Sequence, residues 1–289
     1  MKGLYKVLCL IAALYALSPD SHVNCSYANY TKGEKRNHKY LPTSLEQLRA
    51  EGVQSIAEWK EKQWKDFMTK VKEEFNGFNK MMENEKKKWI DGKENEFKQW
   101  IKYIENKWEH SNEEMYNDIL STKAEESLTW GENEWSEWMN TTGKLLIKLD
   151  FNKWIESNEE FLKEGIRKDW EEWNKFKLRE WTSVGWKNVE DKYWKYWHVN
   201  GKPEEPLYEI KMEKMDKWTE RCKNEEIEWG KWIGSVEKVY INADWDKWVK
   251  WKNEKSTSFT NWIDSFATKW INNKQWKVWL EERNNAPSQ

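Results

Sequence analysis

Large apolar side chains recur three or four residues apart along most of the chain. One such series is Phe67, Val71, Phe75, Phe78 and Met82. Residues at this spacing share one face of an α-helix. The alternation of apolar and polar residues that is typical of a half-buried strand is not sustained anywhere in the sequence. The pattern therefore predicts an all-α protein made of long amphipathic helices.

Proline placement extends this prediction, because no proline occurs between Pro42 and Pro203. The first helix is predicted from about Thr43 to Trp108, with a break at Gly77 or Gly92 as the alternative. A helix of that length, at about 1.5 Å per residue, requires an elongated multi-helix bundle.

Polar clusters give the remaining boundaries. Residues 111–114 have the pattern of a capping box, and residues 140–143 have the composition of a turn. Further helices are predicted near 144–164, 166–199, 206–241, 244–254 and 257–282.

The first 25 residues have the pattern of a secretory signal peptide. Lys2 and Lys6 precede an apolar run from Val7 to Leu17. That run is too short to cross a bilayer, since a membrane-spanning helix needs about 20 residues. Cleavage is expected between residues 18 and 25, and the mature protein is predicted to lack a transmembrane span.

One domain is predicted after the signal peptide. A short polar spacer at 26–42 leads into a tryptophan-rich helical domain at 43–283, and a disordered tail follows at 284–289. No stretch inside 43–283 is rich enough in Gly, Ser or Pro to separate two domains.

Tryptophan is the main side chain available for a core. The chain has 25 tryptophans, and its aliphatic residues are so sparse that disorder is the alternative to exclude. Burying one aromatic side chain removes about 150–250 Å² from water, which is worth roughly 4–6 kcal/mol. Most tryptophans must therefore be buried if the chain is to fold. The predicted core contains Trp59, Trp89, Trp108, Trp135, Trp138, Trp154, Trp170, Trp173, Trp186, Trp197, Trp218, Trp229, Trp232, Trp245, Trp248, Trp262 and Trp270.

The charged residues are balanced and interleaved. Lys and Arg number 49, Asp and Glu number 51, and the formal net charge is -2. Glu and Lys interspersed at helical spacing are typical of a solvated helix surface. Because no basic stripe is present, a nucleic-acid partner is not expected.

Catalytic and metal-binding motifs are missing from the sequence. No two of the four histidines stand at a ligand spacing, and there is no Cys-Xaa-Xaa-Cys pair, phosphate-binding glycine loop or nucleophile elbow. Cys222 is the only thiol certain to remain after cleavage, and its place in an apolar helical series predicts a small buried residue. We therefore expect no enzymatic activity, no metal and no cofactor.

Pairs of tryptophans three residues apart recur along the helical region and carry a resemblance. Examples are Glu134-Trp135-Ser136-Glu137-Trp138 and Trp245-Asp246-Lys247-Trp248. With the signal peptide and the surrounding Glu and Lys, these doublets resemble the tryptophan-rich antigens of Plasmodium, which include the tryptophan/threonine-rich antigen domain. The resemblance covers about residues 50–284.

The resemblance implies a secreted parasite antigen at the parasite surface, in the parasitophorous vacuole or at the infected red cell. It implies a non-enzymatic adhesin at the host red-cell membrane, with a surface protein as the favoured partner. Direct binding to membrane lipid is the alternative. A structural protein that associates with copies of itself is a further alternative.

Two groups of residues are candidate anchors for such a partner. Trp251 lies about 120° around its helix from Trp245, and Lys247, Lys250 and Lys252 surround it in sequence. A tryptophan beside lysines suits an anionic headgroup or the acidic rim of a receptor.

The second group lies on the helix before the loop at 200–206. Its core stripe is predicted as Trp186, Val189, Tyr193 and Trp197, with Trp194 and Tyr196 at the two edges. The alternative for Trp251 and Trp194 is that a neighbouring helix covers both.

Overall fold

The computed structural model describes residues 40–110 and 126–285, and every regular element within them is helical. The α-helices are α1 (Leu45–Ala50), α2 (Ile56–Glu109), α3 (Glu132–Trp138), α4 (Lys144–Thr182), α5 (Gly185–Asn200), α6 (Tyr208–Val236), α7 (Asp246–Asn272) and α8 (Gln275–Asn285). A 3-10 turn spans Glu126–Thr129, and π-helical segments span Met139–Gly143 and Glu237–Ile241. The predicted all-α class is confirmed.

Several sequence predictions fall outside the described residues. They are the signal peptide at 1–25, most of the spacer at 26–42 and the capping box at 111–114. Helix α8 ends at Asn285 and so includes the first two residues of the predicted tail. Among the helices that the structure describes, none has both the length and the apolar character needed to cross a membrane.

Helix α1 ends in a glycine-dependent turn. Gly52 has a φ of 72°, in the left-handed region that favours glycine. Its N–H donates to the carbonyl of Arg49 at 2.9 Å, and the N–H of Val53 donates to that of Leu48 at 3.0 Å. This pair of bonds is the Schellman arrangement, and it separates α1 from α2.

The helix predicted from about Thr43 to Trp108 is divided, because the turn at Gly52 separates α1 from α2. The longer part forms as the periodicity predicts. Helix α2 runs from Ile56 to Glu109 without a break at Gly77 or Gly92. Phe75 and Phe78 are both buried beside Gly77. We infer that packing of the apolar face outweighs the cost of about 1 kcal/mol for a glycine inside a helix.

Two predicted boundaries are wrong for one physical reason. The expected turn at 140–143 is a π-helical segment that joins α3 to α4, and the expected break near 255 lies inside α7. The side chain of Thr141 donates to the carbonyl of Glu137 at 2.8 Å, and that of Thr257 donates to the carbonyl of Asn253 at 3.1 Å. Hydroxyl groups bonded back one turn are compatible with a continuing helix.

The true breaks lie elsewhere. Helix α4 continues through Gly165 and ends at Thr182, and two residues separate it from α5. Helix α7 ends at Asn272, and Lys274 then adopts a φ of 51° before α8 begins. The helix between residues 206 and 241 is close to its predicted bounds.

The chain divides into two compact units. Unit 1 contains residues 40–86 and 163–243, and unit 2 contains residues 87–110, 126–162 and 244–285. The division falls inside α2 and α4. The single domain at 43–283 remains a prediction.

Unit 1 has an aromatic core made mainly of tryptophan. Phe75 of α2 contacts Trp170 and Trp173 of α4 with ring centroids 5.8 and 5.9 Å apart. It also contacts Trp232 of α6 at 5.9 Å. Each of these pairs is edge-to-face, the geometry that aromatic quadrupoles favour.

Unit 2 uses tryptophan both for packing and for hydrogen bonding. Trp108 lies in the last turn of α2, where backbone carbonyls lack partners within the helix. The indole N–H groups of Trp270 and Trp279 each donate to the Trp108 carbonyl at 3.0 Å. The Gln275 side chain donates to the Glu109 carbonyl at 2.7 Å. Buried tryptophans therefore cap the helix that they pack against, and the tryptophan-rich core is confirmed.

Candidate functional site

Helix α5 has a sharply defined end. The N–H of Gly201 donates to the carbonyl of Trp197 at 2.7 Å. A Cβ at Gly201 would lie 2.7 Å from the indole Cε2 of Trp197, so a larger residue would displace the ring. Helix α6 begins at Tyr208, whose ring packs against Trp197 at 5.5 Å. The loop at 201–207 therefore holds α6 against one face of α5.

That inward face of α5 carries its tryptophans. Trp186, Trp194 and Trp197 are all buried. Trp194 and Trp197 pack edge-to-face at 6.0 Å and share a cluster with Met215 of α6. Trp194, a candidate anchor from the sequence, is therefore covered by its neighbours.

Charged residues also lie on the inward face of α5. Glu190 accepts hydrogen bonds from the Lys60 ammonium and the Arg221 guanidinium, both at 2.6 Å. Burial raises the pKa of Glu190, but the hydrogen bonds and charges of Arg221 and Lys60 bring its pKa below the ordinary value. These bonds compensate for placing a carboxylate next to the tryptophan core.

A second ion pair is more deeply buried than that of Glu190. The ammonium of Lys187 is 2.9 Å from a carboxylate oxygen of Glu225, and Asp191 lies 3.5 Å away. The indole of Trp181 donates to Glu225 at 2.8 Å. Cys222 is half-buried beside Lys187, and burial raises the pKa of its thiol, which disfavours the reactive thiolate.

The outward face of α5 is apolar and exposed. Its residues are Val189 (69 % exposed), Tyr193 (48 %), Tyr196 (69 %) and Val199 (80 %). At about 100° per residue they lie within roughly 120° of arc. We call these four residues the α5 outer face.

Two lysines accompany the α5 outer face. Lys192 and Lys195 are exposed, and neither forms an ion pair with a carboxylate in the described part of the chain. The two acidic residues of α5, Glu190 and Asp191, face inward and are bonded there. The outward side of this helix is therefore cationic although the whole chain has a net charge of -2.

The predicted stripe on this helix was rotated from the true one. The periodicity predicts Val189 and Tyr193 in the core, yet they are exposed, whereas Trp194, which it predicts at an edge, is buried. The centre of the inward arc is Glu190, a charged residue that periodicity assigns to solvent. The usable signal was residue type, since tryptophans of α5 face the core and tyrosines face outward. Tyr196 is exposed, as its edge position suggested.

The other candidate site, near the start of α7 in unit 2, is covered. Trp251 is 8 % exposed. Its ring stacks on Trp248 at 5.1 Å and also contacts Phe97 of α2 at 6.3 Å and Trp154 of α4 at 6.2 Å. Neighbouring helices therefore cover it, which was the alternative to an exposed anchor.

The lysines around Trp251 are directed to other groups. Lys252 forms an ion pair with Glu159 of α4. Lys250 lies 3.9 Å from Glu254 on the exposed side of α7. Lys247 lies over the ring of Trp245 at 5.8 Å. The structure therefore does not assemble the predicted tryptophan and lysine cluster, and binding by these residues stays a prediction.

None of the 25 tryptophans is exposed. Among the predicted core set, the half-buried members are Trp154, Trp218, Trp232, Trp245 and Trp262, and the other twelve are buried. Exposed aromatic rings in the described residues are tyrosines, such as Tyr40, Tyr103, Tyr193, Tyr196 and Tyr240. Tyrosine therefore provides the aromatic surface.

Unit 2 also has an open groove between α2 and α7. It is lined by residues that include Phe97, Lys98, Ile101, Lys102 and Trp262. The indole of Trp262 donates to Glu105 at 3.1 Å. Within residues 40–110 and 126–285, no group of three or more His, Cys, Asp or Glu side chains is placed to hold a metal ion.

The sequence profile of one protein family matches most of the chain. Its description is Tryptophan-Threonine-rich plasmodium antigen C terminal, and the match covers residues 63–279. This span includes most of α2 and all of α3 to α7, so it contains both candidate sites. No curated protein matches the chain.

Proposed function

Because the chain belongs to the tryptophan-threonine-rich antigens of Plasmodium, we propose that it is a secreted, non-enzymatic interaction module that binds a protein receptor at the host red-cell membrane. The observation that carries this proposal is the α5 outer face, where two tyrosines and two valines lie exposed on a helix whose other side is firmly packed. The sites of action are the parasite surface, the parasitophorous vacuole or the infected red cell.

The composition of the α5 outer face supports a protein partner. Tyrosine is enriched in protein interfaces because its ring buries a large apolar area with few rotatable bonds, while its hydroxyl can form a hydrogen bond. Tyr193 and Tyr196 offer two such rings within one helical turn. A few anchors of this kind can supply most of the binding energy of an interface.

The tryptophans support the fold, and the tyrosines are available for binding. No tryptophan is exposed, so the core is complete without a partner to cover it. A secreted antigen built in this way can fold before it meets a partner.

Direct binding to membrane lipid is the second candidate, and one observation favours it. Lys192 and Lys195 lie beside Tyr193 and Tyr196, and aromatic rings beside lysines suit the headgroup region of an anionic bilayer. The arrangement is weaker than that of typical interfacial helices, which insert a broad apolar face often containing tryptophan. Here the tryptophan face of α5 is already buried in protein.

The test is binding of the mature chain to three targets: intact red cells, protease-stripped red cells and protein-free liposomes containing anionic lipid. A protein receptor predicts binding to intact cells and its loss after protease treatment. Equal binding to stripped cells and liposomes would replace the receptor with lipid. Ultracentrifugation of the same preparation would detect self-association, which would make a structural assembly the better account.

A further inference from the structure

We propose that the α5 outer face binds as a preformed helical ligand in an apolar groove rimmed by carboxylates on a protein partner. This inference rests on the proposed function and specifies the chemistry of the receptor. Three properties of α5 carry it: the spacing of its exposed apolar residues, the direction of its charges and its rigidity.

The spacing is that of a helix recognised by a groove. Val189, Tyr193 and Tyr196 stand at positions i, i+4 and i+7, and Val199 follows three residues later. The ten steps from Val189 to Val199 span about 15 Å at ~1.5 Å of rise each. Anchors at these positions are typical of an amphipathic helix that inserts one face into a hydrophobic groove. The difference here is that the opposite face is held by the rest of unit 1.

The charges determine the rim of the groove. Lys192 lies between the apolar residues in projection, and Lys195 lies at one side of them. Glu190 and Asp191 have turned inward to Arg221 and Lys187, so they do not neutralise the two exposed lysines. Carboxylates on the partner would complement this surface, increase the rate of encounter and fix the register.

The rigidity of α5 lowers the cost of binding. Trp186, Trp194 and Trp197 fix the helix from within, and Tyr193 contacts Trp194 at 4.7 Å. A ligand helix that is already folded does not lose backbone entropy on association. The same interaction made by an unfolded segment would first have to order the chain.

A second copy of this chain fits the face less well. Antiparallel pairing of two α5 helices would bring the lysines at 192 and 195 of both copies together. Like charges at an interface are unfavourable, and the acidic residues of α5 are engaged on the inward side. Pairing of one α5 outer face with another is therefore unfavourable, and we expect the complementary surface on a different, acidic partner.

The test uses two double variants of the full mature chain and intact red cells as the probe. Lys192→Glu with Lys195→Glu reverses the charge, and Val189→Ser with Tyr196→Ser removes apolar contact. Because all four side chains are exposed, the midpoint of thermal unfolding should be nearly unchanged. Each double variant should weaken red-cell binding by about tenfold or more, and the effect of charge reversal should shrink as salt is raised.

Matched controls come from α4. Lys148 and Lys153 are exposed lysines, and Leu145 and Leu149 are exposed leucines one helical turn apart. Lys148→Glu with Lys153→Glu, and Leu145→Ser with Leu149→Ser, should bind within about twofold of the unchanged chain. A rescue variant, Lys192→Arg with Lys195→Arg, keeps both charges and should retain binding.

The possible contrary results are distinct. If the unchanged chain binds red cells and both α5 variants bind equally well, the inference is wrong, and the proposed function then depends on the red-cell binding and no longer on the α5 outer face. Failure of the unchanged chain to bind red cells removes both. If the α5 variants also lose binding to protein-free anionic liposomes, and by the same factor as on red cells, the α5 outer face binds a membrane. If the unchanged chain self-associates and the variants do not, the face binds a second copy of the chain.

Discussion

The outward side of α5 and the first turns of α7 contain similar residues but present different surfaces. Both segments combine closely spaced aromatic residues with several lysines. In α7, Trp248 and Trp251 are both buried, and Lys252 is paired with Glu159. In α5, by contrast, the tyrosines are exposed and the outward lysines have no carboxylate partner among the described residues.

The difference comes from the neighbours of each segment rather than from its composition. Around Trp251, helices α2 and α4 supply Phe97 and Trp154, which cover the ring. Around Tyr196, the core is already filled by Trp194 and Trp197. Aromatic residues beside lysines therefore do not by themselves indicate a binding surface. In α7 the same pattern consists of buried rings and of a lysine that is paired with a carboxylate.

The largest effect is expected at Trp251. Trp251→Ala should lower the free energy of unfolding by about 3–5 kcal/mol, because it leaves a cavity against Trp248 and Phe97. Chemical denaturation followed by circular dichroism measures the loss. A loss below about 1 kcal/mol, together with reduced red-cell binding, would make Trp251 a surface anchor and remove the contrast between the segments.

The buried ion pair beneath α5 should give the next largest effect. Glu225→Gln removes the carboxylate that faces Lys187 at 2.9 Å and leaves that ammonium poorly compensated. The free energy of unfolding should fall by about 3 kcal/mol. Glu213→Gln, which breaks the exposed pair with Lys217, is the control and should leave the unfolding curve unchanged. Equal curves for both variants would show that the inward charges of α5 do not hold the helix.

The dependence of stability on pH tests the same inward face. Lys60 and Arg221 hold the pKa of Glu190 below its ordinary value in the folded chain. The carboxylate therefore stabilises the fold above its unfolded pKa of about 4.3, and this contribution is lost as the pH falls through the lower, folded pKa. Glu190→Gln should destabilise the protein at neutral pH and should reduce the further loss on acidification. A variant whose stability falls with pH as steeply as that of the unchanged chain would contradict this assignment.

The smallest effect on stability is expected at the α5 outer face. Tyr196→Ala should change the free energy of unfolding by no more than about 0.5 kcal/mol, because the ring is 69 % exposed. The same denaturation experiment measures it beside Trp251→Ala. A loss of several kcal/mol would show that Tyr196 belongs to the core and that α5 does not differ from α7.

The sequence was sufficient for the fold class because periodicity reports which residues share a helical face. It predicted the continuity of α2 and its C-terminal end, since Phe75, Phe78 and their neighbours keep one register across Gly77, but it missed the break at Gly52. It failed at helix boundaries where Thr141 and Thr257 bond to carbonyls of their own helices. Threonine generally favours caps and turns, and the surrounding packing decides whether it ends a helix or lies inside one.

The candidate site was less predictable. The angular position of Tyr196 correctly suggested exposure. The inward face of α5 was mispredicted because Glu190, a charged residue, lies at its centre. Its partners, Lys60 and Arg221, are 130 and 31 residues away in sequence. A helical wheel contains no information on such contacts. The burial of Trp251 likewise depends on helices that are distant in sequence.

Hydroxyl-radical footprinting with mass spectrometry tests most directly whether tryptophan forms the core while tyrosine forms the surface. The free chain should be oxidised readily at Tyr196 and Val199, whereas Trp194 and Trp251 should be protected despite the high reactivity of indole. Unfolding in denaturant should remove that protection and provides the control. Rapid oxidation of Trp194 or Trp251 in the folded chain, with Tyr196 protected, would contradict the account.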